Sequence, residues 1–286
     1  MAYVNPDALV STDWLDAHLS APDVRVVDAT FFLPAQKRDA RREYEDRHIP
    51  GAVFFDVDDI ADSATDLPHM LPSPAKFASK VRRLGLGNGN RIVVYDGNHL
   101  GSAAARAWWM FRYFGHRDVA VLNGGFPKWL SEDRRIEDLP PMPRDRHFVP
   151  RVTHLLARGF DEVAANLASG RELVVDARAA ARFSGAVPEP RPSRHVGHIP
   201  GSVNLPFTDL IDSAGCMVAA DDIRARFAQA GVAKGQPVIA ACGSGVTDCV
   251  LALALHLIGH DEVAVYDGSW AEWGNRDDAP VETGAR

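Results

Sequence analysis

The sequence predicts an α/β fold of two tandem domains, each a mainly parallel sheet with helices on both faces. Three observations carry this. Short β-branched runs alternate with helical patterns along the chain, as in parallel sheets joined by helical crossovers. The same landmarks then occur twice. Asp176 follows Asp28 by 148 residues, His198 follows His48 by 150, and Gly259 and Trp273 follow Gly115 and Trp129 by 144 each. Two copies make a domain pair, not a solenoid. Finally, residues 139–150, LPPMPRDRHFVP, hold four prolines, too many for a helix or a central strand. The expected division is a domain at 1–139, a stiff linker at 140–150 and a second domain at 151–286.

In chain order, Ser11 or Thr12 caps a helix. Val24-Arg25-Val26-Val27-Asp28 is a strand, and a charged stretch from Lys37 to Arg47 leads into the turn His48-Ile49-Pro50-Gly51. Ile92–Tyr95 is a strand ending on Asp96, residues 102–114 are helical, and Val119–Leu122 is a strand closed by NGGFPKW. The second half repeats this with Leu173–Asp176, the turn GHIPG at 197–201, the strand Val238–Ala241, and VYDGSWAEW at 265–273.

The 286 residues are 46% hydrophobic and 24% charged, with a formal net charge of −7. That balance is ordinary for a globular protein and argues against broad nucleic-acid or acidic-membrane binding. No apolar run approaches a membrane span, and the first residues lack a signal-peptide or transit-peptide pattern. A cytoplasmic location is expected. Cys216, Cys242 and Cys249 cannot all be paired and form no CxxC, so neither a disulfide scaffold nor a four-cysteine zinc site is expected. His256/His260 and His195/His198 lack a third ligand, and no metal or other cofactor is expected.

The second half is organised around Pro237–Gly259. An apolar strand ends on Cys242, the loop Gly243-Ser244-Gly245-Val246-Thr247 follows, and a long apolar helix begins. In a parallel sheet ligands sit beyond the strand C-termini. A glycine-rich loop can converge backbone N–H groups on one point, and the helix adds its positive end. A thiolate there should be stabilised, with a pKa below the free value of roughly 8.5. A cysteine at a strand end can also be a small core residue. The duplication supplies a control: Cys242 falls on Asp96. A packing thiol would be replaced by a small apolar residue, so a carboxylate marks a polar position at a site mouth. One half carries chemistry and the other serves as a wall.

These residues resemble the two-domain form of the rhodanese superfamily: the strand ending in Asp, the HIPG turn, the cysteine loop and the closing DGSW unit. The likeness covers almost the whole chain. It implies a pair of rhodanese-like domains with only the second active. An uncharged CGSGVT loop at 242–247 is similar to the 3-mercaptopyruvate sulfurtransferases, whereas thiosulfate enzymes carry a basic CRKGVT-like loop. Residues 38–52 and 67–72 also resemble the 3-mercaptopyruvate group.

The resemblance implies that Cys242 takes sulfur as a persulfide and releases pyruvate. The sulfur then passes to thioredoxin, a small thiol or cyanide. It assigns Arg182 and Arg191 to the substrate's carboxylate and ketone, and the backbone of Gly243, Gly245, Val246 and Thr247 to the sulfur. Ser244 is implied as a proton relay with His48, with Asp39 as its acidic partner. His48 can instead simply anchor its turn, since His198 occupies the equivalent place. Thr247 is expected to cap the helix or bond the loop. Two rivals stay open: thiosulfate as the main donor, and a non-catalytic binding module. A cysteine phosphatase is set aside because Asp248 stands where Cys-x5-Arg needs its arginine.

Overall fold

The computed structural model describes residues 2–98 and 100–284. Each half holds a five-stranded, all-parallel sheet. In the first, β1 (Leu9–Val10), β2 (Val24–Asp28), β3 (Val53–Phe54), β4 (Arg91–Tyr95) and β5 (Val119–Leu122) lie in the order β1-β5-β4-β2-β3. In the second, β6 (Ala157–Arg158), β7 (Leu173–Asp176), β8 (Val203–Asn204), β9 (Val238–Ala241) and β10 (Val263–Tyr266) repeat it as β6-β10-β9-β7-β8. The inner strands are mostly apolar, their polar residues confined to Arg25, Arg91 and the terminal Asp28 and Asp176, because helices cover both faces of each sheet. β5 and β9 are wholly buried.

The two copies share their turn chemistry. Asp28 Oδ1 accepts from the Thr30 N–H at 2.8 Å, and Asp176 Oδ1 from the Arg178 N–H at 2.9 Å. The N–H of His48 donates to the Glu137 carbonyl at 2.8 Å, and that of His198 to the Glu282 carbonyl at 2.8 Å. Ser11 caps the first helix, accepting from the Trp14 N–H at 3.1 Å. Residues 140–150 contain no helix or strand and lie against the first half. Arg82 donates to the Phe148 carbonyl at 2.7 Å, and the Phe148 ring packs on Phe77.

The halves meet through the helices Ser102–Tyr113 and Asp248–Leu257. Ala103, Ala104, Ala105 and Ala107 are buried, and their small side chains let the two helices approach closely. Trp108, Val250 and Leu253 belong to one continuous core that spans both halves. The chain's first residues fasten the same junction. Tyr3 Oη donates to the Val218 carbonyl, Asn5 Nδ2 to the His256 carbonyl and the Val4 N–H to the Leu257 carbonyl, each at 2.8 Å. Among the described residues no helix is long and apolar enough to cross a membrane.

Candidate active site

In the second sheet the chain steps from β7 outward to edge strand β8, then returns to β9 on the other side of β7. The crevice beyond such a reversal is where ligands bind in open parallel sheets, and Cys242 stands there at the end of β9. The loop it opens is shaped by two glycines. Gly245 has φ +73°, and a Cβ there would lie 2.5 Å from the Asp267 carbonyl. Gly243 answers a different need: a Cβ would lie 2.6 Å from Arg182 Nη2. Its bare Cα admits the guanidinium to the loop.

Cys242, Ser244, Arg182 and Arg191 line one cavity of about 260 Å³, together with Gly243, Val246 and Thr247. The far wall comes from the first half, including Phe31, Leu33, Asn98 and Leu100. Larger cavities occur, one of about 590 Å³, but no cysteine or serine lines that one. Arg182 is held by Glu189, its Nε 3.2 Å from both carboxylate oxygens. Glu189 is held in turn by the buried Arg178 at 2.8 Å, which lies over the Trp270 ring. Arg191 Nη2 lies 3.0 Å from His69 Nε2, while its buried Nε has no hydrogen-bond partner among the described residues.

The thiol corrects one expectation. Cys242 is 2% exposed, and burial pushes its pKa up, not down; the neighbouring Asp248 carboxyl adds to the rise. Hydrogen bonds from the Thr247 side chain and from the backbone of Asp248 and Ser244 oppose it. The cradle of donors is therefore present, but desolvation outweighs it until an anion forms. Thr247 does not cap the helix with its side chain; its hydroxyl is turned to the sulfur. Cys249 is core, its Sγ 3.7 Å from the Gly245 carbonyl.

The expected relay through Asp39 and His48 is not assembled. Asp39 is the N-cap of the helix Ala40–Asp46, accepting from the Arg42 N–H at 3.1 Å, and neither residue lines the cavity. His48 is fully buried, its Nδ1 donates to the Tyr44 carbonyl at 2.8 Å and its ring stacks on the Tyr44 ring. Its copy His198 does the same with the Phe183 carbonyl and ring. Both histidines pin their turns.

The acid–histidine pair that reaches the cavity, through its lining residue Arg191, is instead Asp58 and His69. Asp58 Oδ1 lies 2.8 Å from His69 Nδ1, and hydrogen bonding with His69 holds the Asp58 carboxyl below its usual range. Arginine has only donors, so His69 Nε2 accepts from Arg191 and the imidazole proton sits on Nδ1, facing Asp58. His69 adopts φ +62°, a conformation uncommon outside glycine, and this turns the ring inward. Sequence reasoning singled out residues 67–72 but not this pair.

It also missed Arg106. This fully buried arginine of the first half donates to the Gly245 carbonyl at 2.7 Å and the His69 carbonyl at 2.5 Å, and pairs with Asp267 at 2.7 Å. The Leu71 N–H donates to the other Asp267 oxygen at 2.7 Å. One cation thus ties the cysteine loop, the end of β10 and the His69 turn together. Only an arginine set among alanines, SAAARA at 102–107, signalled it.

A rhodanese-like domain model matches residues 11–132 and 160–276. Mouse thiosulfate sulfurtransferase is 45% identical over 96% of this chain and 94% of its own length. Human 3-mercaptopyruvate sulfurtransferase is 42% identical over 93% and 91%. The solved structure of the 3-mercaptopyruvate sulfurtransferase SseA from Escherichia coli superposes with a TM-score of 0.85 at 38% identity, covering 93% of this chain and 99% of that one.

Proposed function

We propose, for a chain that belongs to the rhodanese family and is a sulfurtransferase, that its sulfur donor is 3-mercaptopyruvate and that Cys242 carries the sulfur. The observation behind this is the charge pattern of the cavity. The loop from Cys242 to Thr247 bears no cation, and the positive charge comes from Arg182 and Arg191 beside it. A thiosulfate dianion needs charge at the reacting sulfur. A 2-oxo acid needs it several bonds away, at the carboxylate and ketone. The unpartnered, buried Nε of Arg191 is a desolvated donor whose cost an anionic ligand offsets.

Cys242 as thiolate attacks the donor sulfur. The carbon–sulfur bond breaks with its electrons on carbon, the resulting enolate takes a proton to become pyruvate, and Cys242 holds a persulfide. A second nucleophile removes the outer sulfur: thioredoxin, a small thiol or cyanide. Such two-step covalent chemistry gives ping-pong kinetics. The backbone N–H groups of the loop, with Ser244 and Thr247, stabilise the sulfur anions; one oriented donor of this kind contributes roughly 3 kcal/mol in a transition state. His69, polarised by Asp58, orients Arg191. The division into domains at 1–139 and 151–286 assigns the chemistry to the second and the wall to the first. All three cysteines are free, which suits a reducing compartment such as the cytoplasm.

The thiosulfate reading keeps one argument, the 45% identity to the mouse enzyme. The deciding experiment is steady-state turnover of each donor with cyanide as acceptor, on wild type and Cys242→Ser. Preference for 3-mercaptopyruvate, lost in the variant, upholds the proposal. Preference for thiosulfate overturns the donor, and turnover by Cys242→Ser overturns the nucleophile.

A further inference from the structure

Beneath the cysteine loop lies a buried carboxylate that the reading so far does not use. Asp248 opens the helix that follows the loop, where an acidic residue usually sits in water and favours the helix dipole. Here it is 0% exposed, and its Oδ1 has no hydrogen-bond partner among the described residues. Its Oδ2 lies 2.9 Å from Ser269 Oγ. That same hydroxyl oxygen accepts the Cys242 N–H at 3.0 Å and lies 3.9 Å from Cys242 Sγ. Ser269 has φ +48°. The equivalent position in the first half is Gly125, at φ +58°. The fold thus requires a left-handed residue here, and the second half supplies it with a serine at a conformational cost. The serine places a hydroxyl within reach of the thiol and the carboxylate, and 2.8 Å from the Tyr266 carbonyl.

We propose that Ser269 and Asp248 form a proton path for Cys242, taking the thiol proton in the first half-reaction and returning it in the second. The path rests on Cys242 being the sulfur-carrying nucleophile. In the first half-reaction the Sγ–H proton passes to Ser269 Oγ as the Ser269 proton passes to Asp248 Oδ2. The Sγ electron pair forms the sulfur–sulfur bond, and the carbon–sulfur pair goes to carbon, which takes its proton from solvent. The products are pyruvate, the persulfide and a neutral Asp248. In the second, a thiolate acceptor bonds to the outer sulfur, the sulfur–sulfur pair returns to Sγ, and Asp248 gives its proton back through Ser269. Each cycle leaves both residues as they began.

The surroundings suit a group that alternates between charge states. Burial raises the Asp248 carboxyl to about 7; the Arg106 cation lowers it, while Asp267 raises it again. Cys242 faces it from β9, Ser269 from the helix after β10, and Cys249 is its neighbour on its own helix. Neither carboxyl nor thiol is forced to ionise alone, and the two titrate as a pair. Asp248 is a positioning residue, since it acts through Ser269.

The test reads the thiol directly. Iodoacetamide labels Cys242 at a series of pH values, with peptide mass mapping separating it from Cys216 and Cys249. In wild type the rate rises in a step near neutral pH, as Asp248 becomes able to accept the proton. Asp248→Asn loses this step, leaving a single rise at alkaline pH, and kcat/KM near pH 7 falls by about a hundredfold. Ser269→Gly keeps every charge and the backbone that Gly125 already adopts, and loses the same step. A neutral-pH step retained in both variants overturns the path. A step lost in Asp248→Asn but kept in Ser269→Gly overturns the role of the serine. Should Asp248→Asn fail to fold, Ser269→Gly decides alone. Turnover by Cys242→Ser would sink the nucleophile reading instead, a result visible without the labelling profile.

Discussion

The ends of β4 and β9 occupy the same place in two copies of one sheet, and they solve the same problem differently. At the end of β4, Asp96 Oδ2 accepts the N–H groups of Ala103 and Ala104 at 2.9 and 3.0 Å, and Oδ1 that of Asn98 at 3.3 Å. At the end of β9, the equivalent donors surround Cys242 Sγ. The first half therefore shows a nest of backbone donors filled by a carboxyl side chain. In the second half the carboxyl stands at the helix start as Asp248, and the donors are left to the sulfur.

The strongest way to break this comparison is to exchange the occupants. Cys242→Ser is expected to lower sulfur transfer by at least about a thousandfold and to abolish the persulfide seen by intact mass. Adding Asp96→Cys should not restore it, because Arg182 and Arg191 line the other cavity and Asp96 is not followed by the Gly243–Thr247 loop sequence. Recovery of turnover in the double variant would show that the halves are interchangeable.

Next in size is the clamp. Arg106→Met removes the partner of Asp267 and of two carbonyls, and breaking such a buried pair costs about 3–5 kcal/mol. Denaturant unfolding should register it as a lower midpoint. An unchanged midpoint would mean that the halves dock without it.

Asp96 gives a pH test. Burial raises its carboxyl to about 7, so the folded state keeps a proton that the unfolded chain releases near pH 4. That advantage is full below the unfolded pKa and lost as pH rises through 7, up to about 4 kcal/mol. Asp248 adds with the same sign. The melting temperature should fall from pH 5 to pH 8, and fall less in Asp96→Asn. An equal slope in that variant would detach Asp96 from the effect.

Gly243→Ala sharpens the picture of the active loop alone. The new methyl displaces Arg182, so KM for the donor should rise by roughly ten- to a hundredfold while Cys242 labelling is unaffected. The smallest effect on activity belongs to His48→Gln. It should cost about 1–2 kcal/mol of stability and leave turnover intact, as expected for a turn anchor; a large loss of kcat would revive the relay.

Much of this was legible in the sequence. The strands and the duplication could be read because β-branched runs and turn residues act locally. The cysteine loop could be read because glycine and cysteine are rarely neutral choices there. What stayed hidden depends on distant approach. Arg106 looks like one cation on a packing helix until the second half closes over it. Asp58 and His69 are separated by an irregular loop, and only the left-handed backbone at His69 brings the pair to Arg191. The pKa of Cys242 was misjudged because burial and Asp248 are properties of the folded interior. The duplication itself argued against His48, whose copy His198 makes the same turn contact without lining the cavity.

The hydrogen bonds from Tyr3, Val4 and Asn5 carry a consequence for the order of events during synthesis. Asn5 leaves the ribosome well before its partner His256, which follows 251 residues later. At roughly 5–20 residues per second, those opening residues wait about 10–50 s before they have anything to hold. The early half can fold its own sheet in that interval but cannot be latched. The latch closes only when the cysteine-bearing half is nearly complete, so a truncated chain is left with its first residues loose and exposed to proteases.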